Sequence, residues 1–248
     1  MEIRKDIAYG EEPEQLLDIY PAERADKTLV FFHGGGLEGS TKEENADAFA
    51  VLAQNGISVV SVEYRMYPRA RYPDFIEDGA RAVAWVSQHA AEQGLTENLY
   101  VGGSSAGAYI AMMLCFDPAY LKPYGVSNIQ GYLFDAGQPT VHFRVLKERG
   151  LDPRRVVVDN AAPLYHVGTK EEVPPVLILA AGNDISGRLE QLALLAKTME
   201  DFGHKNVTFR VLENFSHCGY CHAADAEGNL IYPKILLEFL NGQSGTVQ

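Results

Sequence analysis

Cysteine, positive charge and long apolar runs are all scarce in this 248-residue sequence. Three cysteines do not provide a disulfide framework, so a reducing, cytoplasmic setting is expected. With 21 Lys and Arg against 33 Asp and Glu, the net charge of −12 argues against binding to nucleic acid or to an anionic membrane surface. No apolar run approaches the roughly 20 residues that span a bilayer, and the opening "MEIRKDIAYGEEPEQ" lacks the apolar core of a secretory signal.

What the sequence does contain is a regular alternation of β-branched strands and amphipathic helices. Strands such as "TLVFFHGG", "ISVVSVEYR" and "PPVLILAAG" are separated by helical stretches such as "PDFIEDGARAVAWVSQHAAEQG". This alternation predicts an α/β fold with a mostly parallel, twisted sheet and helices on both faces. The opening "EIRKDIAYG" and "QLLDIYPA" predict a hairpin at the sheet edge. We expect one domain over residues 1–248, with a frayed tail at 242–248 and a small lid at 138–173.

The first chemical signal is the stretch "YVGGSSAGAYI", in which a strand turns directly into a helix. Its centre is a G-x-S-x-G pattern with Ser105 in the middle, flanked by Gly103 and Gly107. A serine on such a tight turn adopts a strained backbone, and glycines two residues away remove side chains that would clash. The pattern therefore predicts an exposed, nucleophilic Ser105. A glycine- and serine-rich turn without a ligand, or one that cradles a phosphate, is the alternative, although the Lys-[Ser/Thr] ending of a P-loop is missing.

The second signal is "VFFHGGGLEGS", where His33 and three glycines follow a strand. Consecutive glycines let the backbone approach a ligand closely and can direct N–H groups at an anion. Such donors suit the oxyanion that develops when a carbonyl is attacked. A flexible turn that binds nothing is the alternative interpretation of this motif taken alone.

The third signal consists of Asp184 and His217, which follow two successive strands near the C-terminus. A serine is inert at neutral pH unless a base removes its proton, and the base needs an acceptor that holds its tautomer. Asp184 and His217 are the predicted acceptor and base. Asp135 and Glu213 also end strands and compete for the role of the acid. The histidines that compete for the role of the base are His222, His142, His166, His89 and His204.

Taken together, these motifs resemble the α/β-hydrolase fold, and within it the HGGG-type esterases related to hormone-sensitive lipase and the carboxylesterases. The stretch "VEYRMYPRARYPDFIEDGARAVAWV" is similar to a characteristic block of that group. Glu63 stands where the group usually has Asp, and Met66-Tyr67 replaces Leu-Ala. Because the strand before HGGG begins near Thr28, we expect a minimal cap. The residues of the block that match are Tyr64, Arg65, Pro68, Tyr72, Pro73 and Asp78.

The resemblance implies a role for each motif residue. Ser105 would be the nucleophile, Asp184 the orienting acid and His217 the general base. The oxyanion donors would be the backbone N–H groups of Gly35, Gly36 and Ala106. His33 is expected to support the glycine turn without a chemical role. Neither a metal nor an organic cofactor is expected.

The predicted function is hydrolysis of carboxylic esters, with short acyl chains or acetylated compounds as substrates. Within the same fold, an arylformamidase-like amide hydrolase, a feruloyl or acetylxylan esterase and a non-catalytic receptor are the alternatives. The expected partner is a small-molecule ester, without nucleic acid or membrane, and a homodimer is left open.

One stretch near the C-terminus, "SHCGYCH", allows several other interpretations. Cys218, Cys221 and His222 match the attachment pattern of a c-type haem, and the Cys-x-x-Cys pair resembles a dithiol redox site. The flanking histidines, His217 and His222, are potential metal ligands. Haem attachment needs export and a distal ligand, and a structural zinc site needs a second ligand pair; the sequence indicates none of these. If His217 is the base, the cysteines share its loop, pack there and are open to oxidation.

Overall fold

The computed structural model describes residues 2–242, and its centre is an eight-stranded sheet with the order β1-β2-β4-β3-β5-β6-β7-β8. The first two strands pair antiparallel at one edge, and β2 pairs antiparallel with β4. All remaining neighbours are parallel. The predicted edge hairpin and mostly parallel sheet are confirmed. The strands are β1 (Arg4–Ala8), β2 (Leu16–Tyr20), β3 (Lys27–Phe32), β4 (Ile57–Val62), β5 (Leu99–Ser104), β6 (Ile129–Asp135), β7 (Val176–Asn183) and β8 (Val207–Ser216).

Helices cover both faces of this sheet, as the alternating pattern predicts. Two 3₁₀ turns, Lys122–Tyr124 and Gly219–His222, supplement them. Within residues 2–242, no helix is both long and apolar enough to cross a membrane. The α-helices are α1 (Ala46–Gln54), α2 (Asp74–His89), α3 (Ala106–Phe116), α4 (Pro118–Leu121), α5 (Phe143–Glu148), α6 (Pro163–His166), α7 (Arg188–Asp201) and α8 (Ile231–Leu240).

The core is divided between the two faces of the sheet because side chains alternate along each strand. In β3, Val30 and Phe32 join the larger cluster, which α2, α3 and α7 cover. Leu29 and Phe31, which alternate with them along the strand, belong to the smaller cluster under α1 and α8. Helix α3 is buried along its whole length, which accounts for its uniformly apolar sequence "AGAYIAMMLCF".

The predicted lid segment, residues 138–173, contains the two short helices α5 and α6. Several hydrogen bonds tie it to the body of the fold: the Tyr109 hydroxyl donates to the Ala161 carbonyl at 2.7 Å, and the Tyr72 hydroxyl donates to the Asn160 carbonyl at 3.0 Å. The Tyr67 hydroxyl also donates to the carboxylate of Glu148. The lid role of this segment stays a prediction, as does the single domain over 1–248. The predicted frayed tail lies, apart from Gly242, outside the described residues.

Candidate active site

Ser105 lies between β5 and α3 with a strained backbone, at φ 51° and ψ −110°. Its N–H donates to the carbonyl of Asp135 at 2.7 Å, which fixes the turn to the end of the neighbouring strand β6. A positive φ at a residue with a side chain costs free energy that the surrounding structure must offset. The turn places the serine at the carboxyl edge of the sheet and at the positive end of α3.

The two flanking glycines allow this turn because nothing larger fits. A side-chain carbon at Gly107 would lie 2.0 Å from the Phe32 carbonyl oxygen, and one at Gly103 would lie 2.4 Å from the Gly107 carbonyl carbon. Such contacts are far inside van der Waals separation. The G-x-S-x-G pattern is therefore a packing requirement of the junction between β5, α3 and β3.

The structure brings Ser105, His217 and Asp184 into one hydrogen-bonded chain. His217 Nε2 lies 2.8 Å from Ser105 Oγ, and His217 Nδ1 lies 2.6 Å from Asp184 Oδ1. The three residues come from three strand ends, those of β5, β7 and β8. The chain is continuous from hydroxyl to imidazole to carboxylate, which is the arrangement that activates a serine.

The carboxylate of Asp184 is almost fully enclosed, with 1% of its side chain exposed. Oδ1 also accepts a hydrogen bond from the N–H of Ile185 at 2.6 Å, while the buried Oδ2 has no partner within the described residues. Burial, the largest single effect, raises the pKa of this carboxyl, but the hydrogen bond and charge of His217, the N–H of Ile185 and the charge of Arg188 together outweigh burial and lower the pKa. Asp184 is therefore an ionised acceptor.

In His217, burial acts in the opposite direction, because it disfavours the charged imidazolium and so lowers the pKa of the ring. The hydrogen bond with Asp184 and the interaction with Cys218 outweigh burial and raise that pKa above its usual value. Cys218 responds reciprocally: the hydrogen bond from Cys221 and the neighbouring His217 lower the pKa of its thiol to about 6, against the opposing effect of burial. The environment of His217 thus stabilises a proton that arrives at the ring.

The predicted oxyanion donors lie in the glycine turn after β3 and at the start of α3. Gly35 has φ 88°, and a side chain there would lie 1.9 Å from the Gly39 carbonyl oxygen, so only glycine fits. Within residues 2–242, the N–H groups of Gly35, Gly36 and Ala106 donate to no protein acceptor. They are therefore free to bind a ligand oxygen.

Polar contacts hold the glycine turn from behind. The Tyr64 hydroxyl donates to the His33 carbonyl at 2.8 Å, and its ring stacks on the His33 ring with centroids 4.5 Å apart. His33 Nε2 lies 3.3 Å from Glu63 Oε1, so Glu63 occupies the supporting position at which the family usually has Asp. The N–H of Gly34 donates to Glu44 Oε2 at 2.8 Å. His33 thus supports the glycine turn from behind.

The rival residues are positioned differently. Asp135 is fully buried, and its carboxylate accepts hydrogen bonds from the Tyr220 hydroxyl and from Cys221 Sγ, the latter at 3.6 Å. His142 is buried at the start of α5, and His222 is exposed. The side chains of Asp135, His142 and His222 therefore take no part in the hydrogen bonds that join Ser105, His217 and Asp184.

Three neighbours of the site carry no sequence signal that identified them. Glu44 lies outside every motif. Phe143, at the start of α5, would have its ring tip 3.0 Å from a side-chain carbon at Gly36, so it packs on the glycine turn. Arg188 is 5% exposed and donates to the carbonyl of Ala136 at 2.6 Å, which fixes the loop after β6. All three depend on contacts between distant segments.

Comparison with known proteins gives the same fold. Esterase LipC of Mycobacterium tuberculosis is 28% identical over 241 residues, which cover 86% of this chain and 59% of that protein. An acetyl esterase of Salmonella paratyphi B is 34% identical over 106 residues, which cover 42% of this chain and 32% of that protein. The chain thus spans less than two thirds of the length of either relative.

A solved esterase from Thermogutta terrifontis, Est2 with propionate bound, superposes with a TM-score of 0.78 at 21% identity, over 97% of this chain and 94% of that one. At this identity the likeness concerns the fold alone. The family model described as alpha/beta hydrolase fold matches residues 29–221. This match includes the glycine turn, Ser105, Asp184 and His217, and the chain belongs to the α/β-hydrolase fold family.

Proposed function

We propose that this chain is a carboxylic ester hydrolase that uses Ser105 as nucleophile, His217 as general base and Asp184 as the orienting acid. The observation that carries the proposal is the continuous chain of hydrogen bonds from Ser105 Oγ through the His217 ring to Asp184, at 2.8 and 2.6 Å. The relatives named as esterases, one of them an acetyl esterase, support the same class of reaction.

In the first half-reaction, Ser105 Oγ attacks the ester carbonyl carbon while its proton passes to His217 Nε2. The imidazolium that forms is stabilised by the ionised Asp184 at Nδ1. Negative charge develops on the carbonyl oxygen, and the free N–H groups of Gly35, Gly36 and Ala106 are the donors for it. His217 then gives its proton to the alkoxide oxygen, the alcohol leaves, and an ester of Ser105 remains.

The second half-reaction repeats these steps with water. His217 removes a proton from the water as its oxygen attacks the acyl-enzyme carbonyl, and then returns the proton to Ser105 Oγ as the acid is released. Each proton moves among Ser105, His217, the substrate and the attacking water, so this sequence needs no metal ion or organic cofactor.

The substrates proposed are esters with short acyl chains. Phe143 packs on the glycine turn at Gly36, one of the proposed oxyanion donors, and we expect its ring to limit the length of the acyl chain. The Salmonella relative, which is 34% identical over 106 residues, is named an acetyl esterase, and that name points to a short acyl group.

The test is hydrolysis of p-nitrophenyl acetate, butyrate and octanoate by the wild type and by three variants. Ser105→Ala and His217→Ala should each lower kcat by at least about 10⁴-fold, because either change breaks the nucleophile–base pair. His222→Ala is the matched control, since it removes an exposed histidine five residues further along the chain and should retain activity. Activity in the wild type should fall with acyl length.

A second measurement separates the ester hydrolase from the alternatives. A phosphonate ester should add covalently to Ser105 in the wild type and in His222→Ala, and the adduct should be visible by mass spectrometry. A folded wild type that forms no adduct and hydrolyses none of the three esters would overturn the proposal and favour a binding protein. Turnover of an N-formyl aryl amide in the absence of ester turnover would instead identify an amide hydrolase.

A further inference from the structure

Behind the catalytic histidine, two cysteines and an aspartate from different parts of the chain converge. Cys218 Sγ, Cys221 Sγ and a carboxylate oxygen of Asp135 all lie within 4.8 Å of one another. The cysteines belong to the turn that follows β8, whereas Asp135 ends β6. The sequence could not indicate this third group, which lies more than eighty residues away from the cysteines.

The turn itself holds the two thiols on one side. Cys218 has a left-handed backbone, at φ 53° and ψ 13°, and its carbonyl accepts a hydrogen bond from the N–H of Cys221 at 3.0 Å. Residues three apart in a 3₁₀ turn project in the same direction, so both sulfur atoms face Asp135. The Cys-x-x-Cys spacing is the one with which paired thiolates bind zinc in proteins.

Asp135 is oriented as ligating carboxylates are. It is fully buried, and the Tyr220 hydroxyl donates to its Oδ1, which leaves Oδ2 directed at Cys221 Sγ, 3.6 Å away. A hydrogen bond to the far oxygen of a ligating carboxylate is a common feature of metal sites.

We propose that Asp135, Cys218 and Cys221 bind one divalent cation of the zinc type, through side chains other than those of the proposed nucleophile, base and acid. Two sulfur ligands and one oxygen ligand favour a borderline-soft ion over magnesium or calcium. Binding forms two metal–sulfur bonds and one metal–oxygen bond, and the protons of the thiols pass to solvent without any electron transfer. Both ring nitrogens of His217 are engaged, with Ser105 and Asp184, so water is the fourth ligand.

The position of Cys218 determines both how an ion reaches the site and how a bound ion affects the turn that carries His217. This residue is half-buried, whereas Cys221 and Asp135 are buried, so an ion reaches the site past Cys218. Because Cys218 directly follows His217, a bound ion restrains the turn that carries the base. An ion that binds only the folded chain also raises the melting temperature, and the rise grows with the logarithm of the free-ion concentration once that concentration exceeds the Kd.

The experiment uses the untagged full chain, fully reduced and free of oxygen, titrated with Co²⁺ and then with Zn²⁺. We expect one Co²⁺ per chain, with the thiolate-to-cobalt absorption and the strong visible bands of a tetrahedral site, all abolished when Zn²⁺ replaces it. Zn²⁺ should also raise the melting temperature. Cys218→Ser and Cys221→Ser should each lose these signals, and Tyr220→Phe should weaken binding by about 10- to 100-fold because it frees Oδ1 of Asp135.

Two controls keep the test independent of folding and of the proposed function. Cys115→Ser removes the buried thiol of α3, away from the site, and should bind Co²⁺ as the wild type does. Ser105→Ala should also bind normally, even though it abolishes ester turnover. The proposal is overturned if the reduced wild type shows no thiolate-to-cobalt absorption or if the absorption persists in both cysteine variants. A Cys218–Cys221 disulfide that survives excess reductant would overturn it as well.

Discussion

The backbone N–H of Gly34 donates a hydrogen bond to the carboxylate of Glu44 at 2.8 Å. Gly34 precedes the two glycines that are the proposed oxyanion donors. A side-chain carbon at Gly34 would lie 3.4 Å from both Glu44 Oε2 and Ser105 Cβ, so the carboxylate is close to Ser105. Glu44 therefore fixes the first peptide of the glycine turn relative to Ser105.

We predict that Glu44→Ala lowers kcat for p-nitrophenyl acetate about tenfold, equivalent to ~1.4 kcal/mol of transition-state stabilisation. The N–H of Gly34 loses its acceptor, and the donors that follow it lose their fixed position. Glu44→Gln keeps an acceptor oxygen and should retain most of the activity. Glu43→Ala changes the exposed neighbour and is the control. An equal loss of activity in Glu43→Ala would contradict a specific role for Glu44.

A second prediction concerns the pair of Arg65 and Asp78, which the family block identifies by sequence. Arg65 Nε and Nη2 donate to the two oxygens of the fully buried Asp78 at 2.8 and 2.7 Å, and Gln15 Nε2 donates to the same carboxylate at 2.6 Å. Because Asp78→Asn leaves the guanidinium without its countercharge, it should lower the free energy of unfolding by about 3 kcal/mol.

Urea unfolding measures this effect as a lower midpoint with an unchanged slope. The exposed pair of Asp152 and Arg154 provides the control, since Arg154 is 88% exposed and solvent weakens the interaction. Asp152→Asn should leave the midpoint unchanged. If Asp78→Asn behaved like Asp152→Asn, the buried pair would make no net contribution to stability.

The sequence predicts those parts of the site that local backbone geometry dictates. The G-x-S-x-G turn and the HGGG turn need glycine at fixed positions, since side chains at Gly107 and Gly35 would meet backbone atoms at 2.0 and 1.9 Å. The order of strands and helices also follows from periodicity, so the fold and the placement of Asp184 and His217 at strand ends could be predicted.

Contacts between distant segments could not be predicted in the same way. Asp135 competes for the role of the acid in the sequence because it ends a strand, as Asp184 does. Only the three-dimensional arrangement reveals that Tyr220 and Cys221 bind its carboxylate. Glu44 and Arg188 belong to no motif, because each bonds to a backbone group of a distant segment, the Gly34 N–H and the Ala136 carbonyl, and any chain offers many such groups.

A third prediction concerns the dependence of stability on pH through His142. Burial, together with the nearby Arg188, lowers the pKa of His142 well below 6.5. Its Nδ1 accepts a hydrogen bond from the N–H of Arg144 at 3.2 Å, and its ring packs against those of Tyr109 and Phe143. As pH falls below 6.5, the unfolded chain takes up a proton at this residue and the folded chain does not. Stability therefore falls, by up to about 1.4 kcal/mol for each pH unit down to the folded pKa.

The variant His142→Asn tests this directly, since asparagine can cap α5 but does not titrate. Between about pH 7.5 and about pH 5.5, the melting temperature of the wild type should fall more than that of the variant. His204→Asn makes the same substitution at another histidine, one whose N–H closes the turn after α7. Its pH profile is compared with that of His142→Asn. Parallel pH profiles for the wild type and His142→Asn would show that His142 does not contribute.

The final prediction concerns acyl-chain selectivity and Phe143. The ring tip of Phe143 lies 3.0 Å from the position that a side-chain carbon on Gly36 would occupy. Phe143 is the first residue of α5, so this helix holds the ring against the glycine turn. Phe143→Ala should raise the ratio of kcat/KM for octanoate over acetate by about tenfold or more, because the space that the ring occupied becomes available to methylene groups. Phe143→Leu should give an intermediate ratio, since it restores part of the volume.

Lys147→Ala, which removes the cation 5.5 Å above the same ring but keeps the ring itself, is the matched control and should leave the ratio unchanged. If Phe143→Ala lowered turnover of all three esters equally, the ring would position the glycine turn and would not limit acyl length.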